Sequence, residues 1–281
     1  MRQTLIIAVK EWRDGMRNRW VLATTGLLAA LALTLAFLGA APTGAVKVSA
    51  LAVTIVSLSS LTIFLIPLIA LLLSYDAIVG EIDRGTMALL LAYPVARWQV
   101  VLGKFLGHLA ILVFATVVGY GVAGMALQWT GQDAGGAQGA GGAWAAFAFM
   151  IATSGLLGGV FIAIGYLIST SVGDRGTAAG VAIGVWLLFV LLYDMALLGW
   201  LVVDQGRTVT PYVLNALLLL NPADIYRLIN LTATPDVSGF AGVAGLGAHT
   251  GLGPATLIGA LLAWMVAPLA AAVALFARRQ V

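Results

Sequence analysis

Asp194 lies in the apolar stretch Leu191-Leu-Tyr-Asp-Met-Ala, where a carboxylate could hold a proton, an ion or a substrate. A charge at that depth of a membrane costs roughly 2.5–3.5 kcal/mol on insertion scales, so it must face protein or a wet cavity. Two readings stay open: a substrate or ion site, or an acid paired with Tyr193 or a neighbouring helix. A second candidate region is residues 75–97, where Asp76, Glu81, Asp83 and Arg84 form a polar block. There Gly85 permits a break, Thr86 can cap a new helix, Met87, Leu89, Leu90 and Leu91 give that helix a greasy side, and Pro94 stops it. Tyr93 belongs to the same region, and Arg97 and Trp98 sit at the water boundary before the next span. A short capped helix with one apolar face is built to press into a partner's groove; the alternative is a loop folded back on its own bundle. A third region runs Asn221-Pro-Ala-Asp-Ile-Tyr-Arg-Leu-Ile-Asn230. It reads as an interfacial or re-entrant helix with Asn221 as cap, Pro222 in the first turn, and Asp224 paired with Arg227 at i, i+3. Asn221, Pro222, Asp224, Tyr226 and Arg227 are then either a platform for a partner on the outer face or a plain re-entry before the last span.

Several chemistries lack their residues. A phosphate-binding loop needs Gly-x4-Gly-Lys-Ser/Thr, but Gly103-Lys104 is followed by Phe105. There is no HExxH for zinc, and Gly155 and Gly158 flank leucines rather than a nucleophilic serine. No cysteine is present, so thiolate ligands and a Cys nucleophile are excluded, and His108 and His249 stand alone. His108, one turn past Lys104, reads as an interfacial polar residue. A single Asn221-Pro222-Ala223 without a second Asn-Pro pair does not make a water channel. The chain therefore reads as non-enzymatic, with no metal or cofactor of its own.

The elements that hold these residues follow from composition. Of 281 residues, 62% are hydrophobic and 9% charged, against about 45–50% apolar and about 25% charged in a soluble domain. A net charge of +3 is too weak to imply nucleic acid. The chain reads as one all-α integral membrane domain over residues 1–281. Since a bilayer core of about 30 Å needs about 20 apolar residues, six spans fit: about 20–38, 51–73, 101–127, 144–168, 177–200 and 256–276. Eleven Lys and Arg fall in or beside one set of loops and three (Lys47, Arg207, Arg227) in the other, which puts both termini and residues 75–97 in the cytoplasm. Residues 1–19 place Leu5, Ile6, Val9, Trp12 and Met16 at helical spacing among charges, as an amphipathic helix lying in the inner face does. The Gly131–Gly142 run reads as a flexible connector, and residues 201–254 as a periplasmic segment around the short third-region helix. Gly176, Gly180 and Gly184 form one small-residue strip and Gly155 with Gly159 another, seams either within the chain or against a second copy.

Lys10-Glu11 with Arg17-Asn18-Arg19 resembles the entry helix of ABC-2-type transporter permeases. Glu81-x3-Gly85-Thr86, Leu89-Leu90, Pro94, Arg97 and Lys104 look like their coupling region, and six spans with both termini inside fit too. More narrowly, Leu71–Thr86 and Leu217–Leu231 are similar to the membrane subunit of the Nos transporter, which serves maturation of the copper enzyme nitrous oxide reductase in denitrifying bacteria. The resemblance implies a multi-pass protein of the bacterial inner membrane, two copies of it, and two of a cytoplasmic ATPase that binds the ATP and Mg. It also implies a periplasmic β-helical partner. ATPase closure would push on residues 81–93, with Glu81 and Arg84 as contacts and Gly85 and Thr86 fixing the break. No Cys and seven scattered Met leave copper, a sulfur species or mechanical work alone as the thing handled. The alternative is an ion-coupled secondary transporter using Asp194.

Overall fold

The computed structural model describes residues 2–38, 50–129, 139–204, 210–232 and 252–279, and among them every regular element is helical. In order these are α1 (Arg2–Arg17), α2 (Arg19–Leu38), α3 (Ala50–Ser74), α4 (Val79–Asp83), α5 (Thr86–Leu91), α6 (Arg97–Trp129), α7 (Gly139–Ser171), α8 (Arg175–Leu187), α9 (Tyr193–Asp204), α10 (Pro211–Leu219), α11 (Pro222–Thr232) and α12 (Pro254–Arg278). A single wide turn, Leu188–Leu192, joins α8 to α9 in one continuous rod. Among the described residues five helices are long and apolar enough to cross a bilayer; α1 and α2, meeting at 69°, make a sixth if taken together. The helices overrun the apolar windows read from the sequence: α6 begins at Arg97 and α7 at Gly139, so the last residues of the Gly131–Gly142 run are helical rather than connector. Backbone bonding inside a helix does not stop where apolar side chains do.

The axis of the bundle is α7, packed against α3, α6, α11 and α12. Its apolar window is 72% buried, whereas α8–α9 and α12 are only 17% buried and turn most of their surface outward. Burial from lipid brings little hydrophobic gain, so close backbone approach and polar satisfaction hold such a bundle together. At Gly158 an added Cβ would lie 2.5 Å from a methyl of Leu112, so the absence of a side chain there lets the Leu112 methyls of α6 lie against the backbone of α7. Pro67 sits inside α3 without ending it, and in the turn it loosens the carbonyl of Phe64 accepts the indole N–H of Trp186 at 3.0 Å. Pro268 likewise lies inside an unbroken α12.

Helix α1 and the last turn of α12 lie at one end of the bundle with α4 and α5. Arg97 donates to the carbonyls of Phe276 (2.8 Å), Ala277 and Arg279, while Arg279 donates to those of Ser169 and Thr170. The two arginines thus cap the last carbonyls of α12 and α7, at helix ends where intrahelical donors run out. The opposite end carries α10 and α11.

Candidate functional site

At the terminal end α1 lies across the start of α6. The contact needs small residues: a Cβ at Gly103 would lie 2.8 Å from Ile7, and one at Gly107 2.5 Å from Glu11. This i, i+4 pair brings Glu11 onto α6, where the Lys104 ammonium, 3% exposed, donates to Glu11 Oε1 at 2.8 Å and to Glu81 Oε1 at 2.6 Å. One cation therefore joins α1, α4 and α6. His108 stands over the same group, its Nε2 3.8 Å from Glu11 Oε2 and its Nδ1 3.0 Å from the Tyr166 hydroxyl on α7. It is a buried member of this network, not the interfacial residue expected from its position. Burial acts to raise the Glu11 carboxyl, but the charge and hydrogen bond of Lys104 outweigh it and hold the group below its ordinary value. Beside this network Asp76 accepts from Arg175 at 2.7 Å, and the Ser169 hydroxyl receives the backbone N–H groups of Ile78 and Val79. Asp174 caps α8, accepting from the Thr177 hydroxyl at 2.7 Å and from the Thr177 N–H at 2.9 Å, and these bonds lower its carboxyl.

The α4–α5 unit is set by Gly85, whose φ of 71° places it in the left-handed region that a side chain resists. Gly85 itself occupies the cap position of α5. Thr86, expected as the cap, is the first helical residue, and its hydroxyl donates back to the Glu81 carbonyl at 3.2 Å. The expected greasy side divides. Met87 is fully buried and Leu90 and Leu91 pack on the core, whereas Leu89 and Tyr93, each 69% exposed, point away with Asp83 and Arg84. Glu81 faces Lys104, and Arg97 is committed to the helix ends described above, so neither is an outward contact as expected.

At the far end a second cation joins two carboxylates. Arg227 donates to Asp224 at 2.9 Å, the expected i, i+3 pair, and to Asp194 on α9 at 2.8 Å. Asn221 begins α11 by accepting the Ala223 N–H, and its amide donates to Asp224 and to the Phe189 carbonyl in the wide turn. At the end of α10 the Tyr193 hydroxyl donates to the carbonyl of Leu217 and the Trp264 indole N–H to that of Leu219. Deeper, the hydroxyls of Tyr226 and Ser154 share a hydrogen bond of 3.1 Å, and Asn230 donates to Thr153. Asn221, Pro222, Asp224 and Tyr226 are all buried, and Arg227 is half-buried. The outward platform is therefore corrected: α11 spends its polar side chains inside the bundle, where each must find a partner. Among the described residues no three His, Asp or Glu side chains gather as metal ligands would.

Comparison with known proteins decides what such a bundle belongs to. The family described as "ABC-2 family transporter protein" matches residues 5–281. The chain belongs to that family. It is 48% identical over 281 residues, 99% of each chain, to a protein of Stutzerimonas stutzeri named "Probable ABC transporter permease protein NosY". It is 46% identical over 275 residues, 98% of each chain, to a Pseudomonas aeruginosa protein of the same name. The chain is thus a permease, the non-catalytic membrane subunit of an ABC transporter whose ATPase is a separate subunit. This displaces the ion-coupled alternative built on Asp194.

In the permease the two glycine strips take different surroundings. Gly155 and Gly159 meet Val113 of α6 and Met265 of α12, an internal seam. A Cβ at Gly180 or Gly184 would meet nothing within 4 Å, and one at Gly176 only its neighbour Asp174. The strip at Gly103 and Gly107 carries the same signal in the sequence, a four-residue spacing of glycines. The pairings of Lys104 with Glu11 and of Arg97 with the last helix left no such signal.

Proposed function

We propose that this permease is the membrane subunit of a Nos transporter in the bacterial inner membrane, with α1, α4–α5 and both termini on the cytoplasmic side. A separate ATPase, holding ATP and Mg, pushes on α4–α5, and the push reaches the spans. The observation that carries this reading is Lys104 between Glu11 and Glu81: α4–α5 is not a slack loop but is bolted to α1 and α6, while Leu89 and Tyr93 stay outward for a partner. Glu81 acts on the inside of this joint as a positioning residue. Two copies of the chain meet through the open Gly176–Gly180–Gly184 face, and a periplasmic β-helical protein completes the assembly that serves the copper sites of nitrous oxide reductase. Support for the last step is the similarity to permeases named NosY.

The test is isolation of the complex from native membranes with identification of its companions. A stoichiometric protein with a Walker motif is expected, together with a β-helical periplasmic protein. Leu89→Asp combined with Tyr93→Ala should release the ATPase or uncouple its hydrolysis while the permease still folds. Unchanged copurification and coupled hydrolysis in that variant would remove α4–α5 as the contact.

A further inference from the structure

Beneath α1, between α2, α3 and α6, lies a cleft of about 590 Å³, within the range of about 300–1,000 Å³ usual for small-ligand sites. Its walls change character along the helices. On α6 they run from Lys104 and His108 to Ile111, Leu112 and Ala115; eleven residues at about 1.5 Å each carry the cleft roughly 16 Å from the charged level into the bundle. On α3 the same change runs from Asp76 and Tyr75 inward to Leu72 and Ile69. Leu72 is 46% exposed, so the apolar part communicates with the surroundings of the bundle, which for a membrane protein are lipid tails.

The charges at the mouth are unequally engaged. Lys104 is held by Glu11 and Glu81, and Arg175 by Asp76. Arg84 also lines the cleft, is exposed, and makes no ion pair among the described residues. A site with one uncommitted guanidinium at its mouth and an apolar channel below it suits an amphiphile with an anionic head, since guanidinium binds phosphate through paired N–H groups. The geometry points to a phospholipid-binding site, with the lipid phosphate on Arg84 and one acyl chain lying against Leu72, Ile69, Ile111 and Leu112. The lipid comes from the leaflet on the side of α1, and it sits next to the Lys104 joint without replacing any of its bonds.

A phospholipid carrying a photoactivatable diazirine in its acyl chain, in nanodiscs of phosphatidylethanolamine and phosphatidylglycerol with the full-length chain, tests this by peptide mapping. Labelling is expected on the peptides containing residues 69–73 and 111–115. Arg84→Glu should lower it by about tenfold, the size of one lost charge-assisted contact, with labelling of the lipid-facing α9 residues unchanged. Thr24→Phe, which narrows the cleft from α2 and leaves Arg84 alone, should lower the same labels. Equal labelling in both variants, or cleft labelling no stronger than on α9, would overturn the site. So would displacement of the label by millimolar inorganic phosphate, which marks a free-anion site, or its loss when the ATPase binds, which marks a protein surface.

Discussion

At the terminal end Lys104 reaches carboxylates 93 and 23 residues away in sequence, on α1 and α4. At the far end Arg227 reaches Asp194, 33 residues away, and Asp224, its own neighbour three residues before. Each site places one cation between two acids, yet the settings differ. Lys104 is 3% exposed, with partners at 12% and 14%, whereas Arg227 and Asp194 are 23% and 24% exposed. A buried ammonium without its carboxylates is a large uncompensated charge, so the Lys104 joint forces three segments to move as one. The Arg227 fork is half local: Asp224 shares its helix, and the bond to Asp194 ties α11 to α9. The first site fits force transmission, and the second fits anchoring of a helix that would otherwise leave its polar groups in an apolar interior.

The contrast is open to direct measurement. Lys104→Met should destabilise the permease by about 3–5 kcal/mol, read as a fall in thermal midpoint in mild detergent, with α1 becoming sensitive to protease first. A shift no larger than that of Glu81→Gln would mean that the three segments are not held through Lys104. At the far end a double-mutant cycle of Asp194→Asn and Arg227→Gln should return a coupling of about 1–2 kcal/mol, within the usual span for contacting pairs and smaller because the pair is partly solvated. A coupling as large as the Lys104 loss would erase the distinction between the two sites.

The smallest effect is a pH dependence. Because the Glu11 carboxyl is held below its ordinary value in the folded chain, its contribution is present above the ordinary carboxylate pKa and is lost as pH falls through the folded-state value. The stability difference between the wild-type chain and Glu11→Gln should therefore be full near neutrality and shrink under acid. A difference that grows on acidification would show that Glu11 is not paired as described.

Much of the local architecture was legible before any coordinates. Gly85 punctuates α4 and α5 because its backbone needs a positive φ, and Asn221-Pro222 opens α11 because an amide cap and a proline suit a first turn. The Asp224–Arg227 pair follows from helical spacing alone. Apolar length likewise marked the spans, because the thickness of a bilayer sets how many residues must be greasy.

Orientation within the bundle was not legible. Leu89 and Met87 look alike in sequence, and only packing makes one exposed and the other fully buried. Glu81 and Arg97 carry charges that suit a surface contact, yet each finds its partner inside the chain, on α6 and at the end of α12. Helix α11 reads as a platform until its polar residues are seen to face Ser154, Asp194 and Phe189. By itself the sequence determined which segments are helical, which are apolar enough to cross a bilayer and where helices begin, since these depend on neighbours a few residues apart. The tertiary structure alone decided which charge meets which, because a side chain's partner is set by the packing of helices whose pairing no local spacing records.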